Sequence, residues 1–169
     1  HEGSVIRTSD EMGGLDEADE NVGFALTAAD FNQDGYADLA VGAPGSTLGL
    51  GLADAGQVYV LAGSPNGLVP WHSITQATLG DACEAGDRFG ASLAAGDLNG
   101  DGHRDLAIGC PGEDSFAGAV CYVLGTSIGL YGNGGTLTGA SFDMPGAAGD
   151  RMGFSVASGN VIGTSHDDI

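Results

Sequence analysis

An acidic nonamer occurs twice in this chain, and it limits the fold more than any other feature. The copies are Asp30-Phe31-Asn32-Gln33-Asp34-Gly35-Tyr36-Ala37-Asp38 and Asp97-Leu98-Asn99-Gly100-Asp101-Gly102-His103-Arg104-Asp105. Each sets a side-chain oxygen at alternate positions, a glycine where the chain must turn sharply, and an aspartate at the end. So many oxygens on nine residues repel one another unless a cation sits among them. Hard ions such as Ca²⁺ take about six to eight oxygen ligands at flexible distances, which alternating Asp and Asn on a tight loop supply. The alternative is a polar turn without metal, and duplication at matching positions weighs against it.

An EF-hand also opens Asp-x-Asx-x-Asp-Gly, but it needs a bidentate Glu at its twelfth position and flanking helices. Here the twelfth positions are Val41 and Ile108. The segments that follow, Asp38-Leu39-Ala40-Val41-Gly42-Ala43-Pro44 and Asp105-Leu106-Ala107-Ile108-Gly109-Cys110-Pro111, are short apolar runs closed by Gly and Pro. Such runs read as buried strands. The loop therefore joins two strands, and its ninth residue closes the cage. One ligand set is Asp30, Asn32, Asp34 and Asp38 with the carbonyl of Tyr36; the other is Asp97, Asn99, Asp101 and Asp105 with the carbonyl of His103.

The nonamers mark a longer repeat, and long periods decide an architecture early. Gly23 to Asp30 matches Gly90 to Asp97 at an offset of 67, and Arg151 to Asn160 follows Arg88 to Asp97 at an offset of 63. Gly56-Gln57-Val58-Tyr59 answers Gly118-Ala119-Val120-Cys121, and Gly63-Ser64-Pro65 answers Gly125-Thr126-Ser127. With a last strand placed at Ser73–Ala77 and Thr136–Ala140, each unit contains four strands. The expected fold is all-β: tandem four-stranded antiparallel blades of a β-propeller. Units are expected at 21–87 and 88–150, with a remnant of a preceding blade and an acidic loop over 1–20 and a partial third unit over 151–169. Ala25, Ala28, Ala29, Ala91, Ala94, Ala95 and Gly96 suit a narrow strand near the propeller axis.

Arg88-Phe89-Gly90, the loop that follows, and Gly42-Ala43-Pro44 at the end of the equivalent strand resemble the FG-GAP repeat. That repeat is known from integrin alpha-chain heads and from secreted bacterial proteins. The resemblance implies a seven-bladed propeller with Ca²⁺ in the loop between the first two strands of a blade, and protein ligands at its surface. The sequence departs from the pattern at Val22, where Phe is usual, and at Cys110, where Ala is. In the third copy Asn160, Ile162, Thr164 and Asp168 replace the cage, so no calcium or only a weak site is expected there.

The chain has 169 residues, against well over twice that for a closed ring at this repeat size. Either it is part of a longer propeller, or its open strand edges are completed by other copies in a ring or filament. Gly3-Ser4-Val5-Ile6 echoes Gly56 to Tyr59 and reads as the preceding blade's remnant. Twenty-three acidic against four basic residues give a net charge of −19. Two Ca²⁺ would leave the chain strongly acidic, and with no basic patch it excludes phosphate-backbone partners. No apolar run reaches membrane-spanning length. The acidic run from Asp10 to Glu20 reads as a solvated loop or, alternatively, a further cation site.

Three cysteines leave two readings: a cross-strand disulfide between Cys110 and Cys121, with Cys83 free or intermolecular, or buried thiols acting as small hydrophobes. The four histidines form no constellation, and no nucleophile elbow, zinc helix or phosphate loop occurs. Trp71, the lone tryptophan, reads as packing between blades rather than as a sugar platform. The leading functional expectation is a non-enzymatic, calcium-stabilised adhesion or interaction module, secreted or displayed at a cell surface, with a protein or glycan ligand. The alternatives are a structural subunit of a self-assembled filament or ring, and a lectin or accessory domain of a secreted hydrolase.

Overall fold

The computed structural model describes residues 20–49, 51–144, 146–161, 163 and 166–169. The N-terminal remnant, most of the acidic run, Ile162 and Thr164 lie outside the described residues. Two four-stranded antiparallel sheets follow one another, each with its strands in chain order. The first contains β1 (Ala25–Ala29), β2 (Asp38–Ala43), β3 (Gln57–Ala62) and β4 (Val69–Ile74). The second contains β5 (Ser92–Gly96), β6 (Asp105–Cys110), β7 (Ala119–Val123) and β8 (Gly134–Leu137). The registers coincide: Ala25 pairs with Gly42 and Ser92 with Gly109, while Val41 pairs with Tyr59 and Ile108 with Cys121. These are two complete propeller blades and the start of a third.

The fourth strand differs from the sequence expectation. Thr75-Gln76-Ala77 is not strand: β4 ends at Ile74, and Gln76–Leu79 is a 3₁₀ turn. Thr78 starts that turn by accepting the Thr75 N–H on its hydroxyl at 3.1 Å and donating to the Thr75 carbonyl at 2.6 Å. The second blade repeats the device, with β8 ending at Leu137 and the Ser141 hydroxyl accepting the Thr138 N–H at 3.1 Å. Short hydroxyl side chains bond locally to the backbone and so compete with a strand ladder. Pro70 is tolerated in β4 because an edge strand needs no donor on its open side.

Strands present opposite faces at alternate residues, so each blade has two packing faces. Val58, Val60 and Ile74 of the first blade meet Leu106, Ile108, Cys110 and Cys121 of the second in one buried core. Phe31 and Phe89, both fully buried, close it. The other face of the second blade, Ala94, Ala107 and Val120, packs on Met152 and Val156 of the third copy. Each fully buried side chain of this size contributes about 1.5–3 kcal/mol, so the contact between blades carries much of the stability. Trp71 belongs to that contact, packed at its margin with its ring edge-on to Tyr131 at a centroid distance of 6.0 Å.

Main-chain joints repeat between blades. Gly56 bridges Phe89 in parallel, and Gly118 bridges Met152 in the same way. At both glycines a Cβ would strike the main chain of the next unit. β1 lies against β5, which places the small-residue strands side by side as expected for the inner edge of a propeller.

Candidate metal centre

Each acidic loop leaves the innermost strand of its blade and returns as the second. Positive φ angles at Gln33 (59°) and Gly35 (89°), and at Gly100 (77°) and Gly102 (86°), turn the chain. Glycine adopts this conformation without steric cost, and Gln33 does not. Within the first loop Asp30 accepts the N–H groups of Asp34 at 3.1 Å and Gly35 at 2.9 Å, while Asp34 accepts that of Tyr36 at 2.9 Å. The second loop repeats these contacts: Asp97 accepts from Asp101 at 3.1 Å and Gly102 at 2.9 Å, and Asp101 from His103 at 2.8 Å. Asn32 and Asn99 accept the Asp34 and Asp101 N–H groups at 3.0 Å. The carboxylates are thus held by the turn's own N–H groups, and the two loops touch where Gln33 donates to the Gly102 carbonyl at 2.8 Å.

The ninth residue does something that spacing alone does not reveal. Asp38 is fully buried; one of its oxygens accepts the Phe31 N–H and the other the Gly63 N–H, both at 2.8 Å. Asp105 does the same with Leu98 and Gly125, both at 2.7 Å. One carboxylate therefore ties the start of the loop to the turn after the third strand. The third copy keeps half of this clamp, with Val161 N–H on Asp168 at 3.0 Å. Burial raises the Asp38 and Asp105 pKa values, and the nearby charges of Asp34 and Asp30, or of Asp101 and Asp97, raise them further against the opposing hydrogen bonds.

The donor set suits a hard divalent ion. Every side-chain donor is oxygen, and each clamped carboxylate oxygen keeps a lone pair beyond its backbone bond. Like charges crowd each loop, and among the described residues the only ion pair close by is Arg104 with Asp167 at 3.7 Å. Tyr36 and His103 sit at the seventh position, their N–H groups bound to Asp34 at 2.9 Å and Asp101 at 2.8 Å. Phe31 escapes a reading limited to oxygen atoms: it is the second residue of the nonamer, and its buried ring anchors the loop in the core between blades.

Cys110 and Cys121 face the first blade as two buried thiols with sulfurs 3.2 Å apart. The Cys121 sulfur beside it and its own burial push the Cys110 thiol pKa up. Cys83 lies apart, its sulfur accepting the Ala77 N–H at 3.3 Å.

Blades of this type with an oxygen-rich loop between their first two strands define a class of repeat, and comparison with known proteins gives it a name. The FG-GAP repeat model matches residues 22–61 and 89–121, and the chain belongs to the FG-GAP repeat family. It is 33% identical over 160 residues to phosphatidylinositol-glycan-specific phospholipase D of Homo sapiens, covering 88% of this chain and 18% of that protein. It is 34% identical over 173 residues to integrin alpha-PS5 of Drosophila melanogaster, covering 99% of this chain and 16% of that one. To integrin alpha-IIb of Mus musculus it is 36% identical over 139 residues, 79% of this chain and 13% of the relative. The chain thus spans less than a fifth of the length of these relatives. Among the described residues no helix is long and apolar enough to cross a membrane.

Proposed function

We propose that each acidic loop holds one Ca²⁺ and that the protein is a calcium-stabilised interaction module acting outside the cell. Asp30, Asn32, Asp34 and Asp38 with the Tyr36 carbonyl form the first cage. Asp97, Asn99, Asp101 and Asp105 with the His103 carbonyl form the second. The observation that carries this reading is the matched pair of loops, each with carboxylates held by its own N–H groups and a buried aspartate raised in pKa by burial and by its neighbours' charge. A cation neutralises that charge, and its binding energy adds to folding energy.

The role is non-enzymatic in this reading: rigid blades present loops to a protein or glycan partner at a surface. Similarity to integrin alpha chains supports it. The human phospholipase relative matches this chain over 18% of its own length, and no nucleophile elbow, zinc helix or phosphate loop occurs in this sequence. We take 21–87 and 88–150 as the repeat units.

Thermal unfolding in excess calcium and in excess chelator tests the reading. Saturation at a hundred times Kd adds about 2.7 kcal/mol per site, so chelation is expected to lower Tm by on the order of 10 °C. Identical melting curves in the two conditions would refute a stabilising ion.

A further inference from the structure

Oxygen ligands also gather away from the loops, where the two blades join. Carboxylate oxygens of Glu84, Asp87 and Glu113 lie within 4.8 Å of one another. Asp87 is 2% exposed and Glu113 8%, whereas Glu84 reaches solvent. They come from separate segments: Glu84 and Asp87 from the connection into β5, Glu113 from the turn after β6. A fourth group enters from the first blade. Gln76, 1% exposed, donates its amide nitrogen to Glu113 Oε2 at 2.5 Å. Its amide oxygen, on the same planar group beside Glu113, is buried without a hydrogen-bond partner. A buried amide oxygen left so is destabilising, and the side chain that carries it ends against Glu113.

Nothing basic answers these acids. Among the described residues no Lys, Arg or His forms an ion pair with Asp87 or Glu113. Burial, reinforced by neighbouring acids including Asp81 and Asp114, pushes the Asp87 carboxyl up to about 6 and the Glu113 carboxyl up to about 7. A buried like-charged group of this kind either keeps a proton or takes a cation.

The repeat separates the structural part of the cluster from the added part. Asp87 accepts the Glu84 N–H at 2.6 Å, and at the next joint Asp150 accepts the Ala147 N–H at 2.8 Å in the same way. That contact belongs to the blade. The other oxygens recur only in part: Ala147 stands where Glu84 does and Gly139 where Gln76 does, while one repeat earlier Glu17 stands where Glu84 does but Ser46 where Glu113 does. The middle joint alone combines all four.

We propose that Gln76 Oε1 and the carboxylates of Glu84, Asp87 and Glu113 bind a hard divalent cation that staples the first blade to the second. This site is separate from the acidic loops and does not depend on them. Ca²⁺ is the probe, counted by native mass spectrometry of the full chain and checked by equilibrium dialysis. Wild type is expected to bind one equivalent more than E84A/E113S, whose replacements are residues the fold already carries at matching positions. The exposed-site variant E84A guards against misfolding: it should melt with wild type in chelator but gain less Tm from calcium. A loop variant, D34A/D101A, should keep the extra equivalent. Equal stoichiometry in wild type and E84A/E113S, with calcium-dependent Tm gains also equal in wild type and E84A, overturns the proposal and leaves a proton shared between Asp87 and Glu113 at the joint.

Discussion

Set one on the other, the two complete blades agree at the positions that touch main chain and differ at those that fill space. Gly42 and Gly109 each lie so close to the neighbouring unit that a Cβ would meet a carbonyl, of Gly90 in one case and Gly153 in the other. Gly63 and Gly125 are pressed in the same way against Ala37 and Arg104. Asp38 and Asp105 make the same two backbone contacts. Side-chain volume is free to vary by compensation: the small–large pair Ala43 and Tyr59 in the first blade becomes two middle-sized residues, Cys110 and Cys121, in the second. The repeat is therefore defined by backbone approach and clamping, and packing is tuned within it.

The sharpest way to break this comparison is to remove the clamp. Asp105→Ala and Asp38→Ala each leave two N–H groups without an acceptor, and each is expected to cost roughly 2–5 kcal/mol, calcium or no calcium. Asp101→Ala and Asp34→Ala remove exposed carboxylates instead. In chelator these should stay within about 1 kcal/mol of wild type and should lose the stabilisation that calcium adds. Denaturant unfolding in both conditions reads the contrast. If Asp105→Ala unfolds with wild type in chelator, the ninth position is a ligand only, and the distinction between clamp and cage fails.

Next in size is the cysteine pair. Register places Cys110 opposite Ala119 and Cys121 opposite Ile108, so the two sulfurs meet diagonally across β6 and β7. In an oxidising compartment the expected product is one bridge, which through its short loop stabilises the second blade by about 2–3 kcal/mol. Alkylation of the denatured protein should then label only Cys83 before reduction and all three cysteines after it. Three labels in both samples would make the pair a packing substitute for Ala43 and Tyr59.

Much of this was legible in the sequence, and what was not has physical reasons. The strands β1, β2 and β3 and the placement of each loop follow from apolar runs bounded by Gly, Pro and Asp. β4 was obscured because Val69-Pro70-Trp71-His72 lacks alternation, while Thr75, a good strand former by propensity, in fact heads a 3₁₀ turn. The clamp needs Gly63 and Gly125, each twenty or more residues beyond its aspartate. No local pattern announces such a contact. The joint cluster draws on three separate segments; its one sequence signal is the recurrence of Asp-Arg two residues before Gly, at Asp87-Arg88 and Asp150-Arg151.

The glycine contacts come third. Gly109→Ala drives a methyl into the Gly153 carbonyl and the Ser92 hydroxyl, and Gly42→Ala drives one into the Gly90 carbonyl. Each should cost about 1–3 kcal/mol through displacement of the neighbouring unit. Gly159→Ala is the control, since nothing lies within 4 Å of its Cβ position. A neutral Gly109→Ala would mean that the second blade and the third copy are not held at this spacing, and melting curves of the three variants decide it.

The smallest effect separates the two loops themselves. Gln33 and Gly100 occupy the same position with φ of 59° and 77°. A side chain in this left-handed region costs about 1 kcal/mol, so Gly100→Ala should lose that much. Gln33→Gly relieves the same strain but forfeits the 2.8 Å hydrogen bond to the Gly102 carbonyl, itself worth about 0.5–1.5 kcal/mol. The two terms nearly cancel, and Gln33→Gly should leave Tm unchanged to within about 2 °C. A clear gain would show that the contact between loops contributes nothing. A clear loss would make it the stronger term, with Gln33 retained at the cost of backbone strain because it ties one loop to the other.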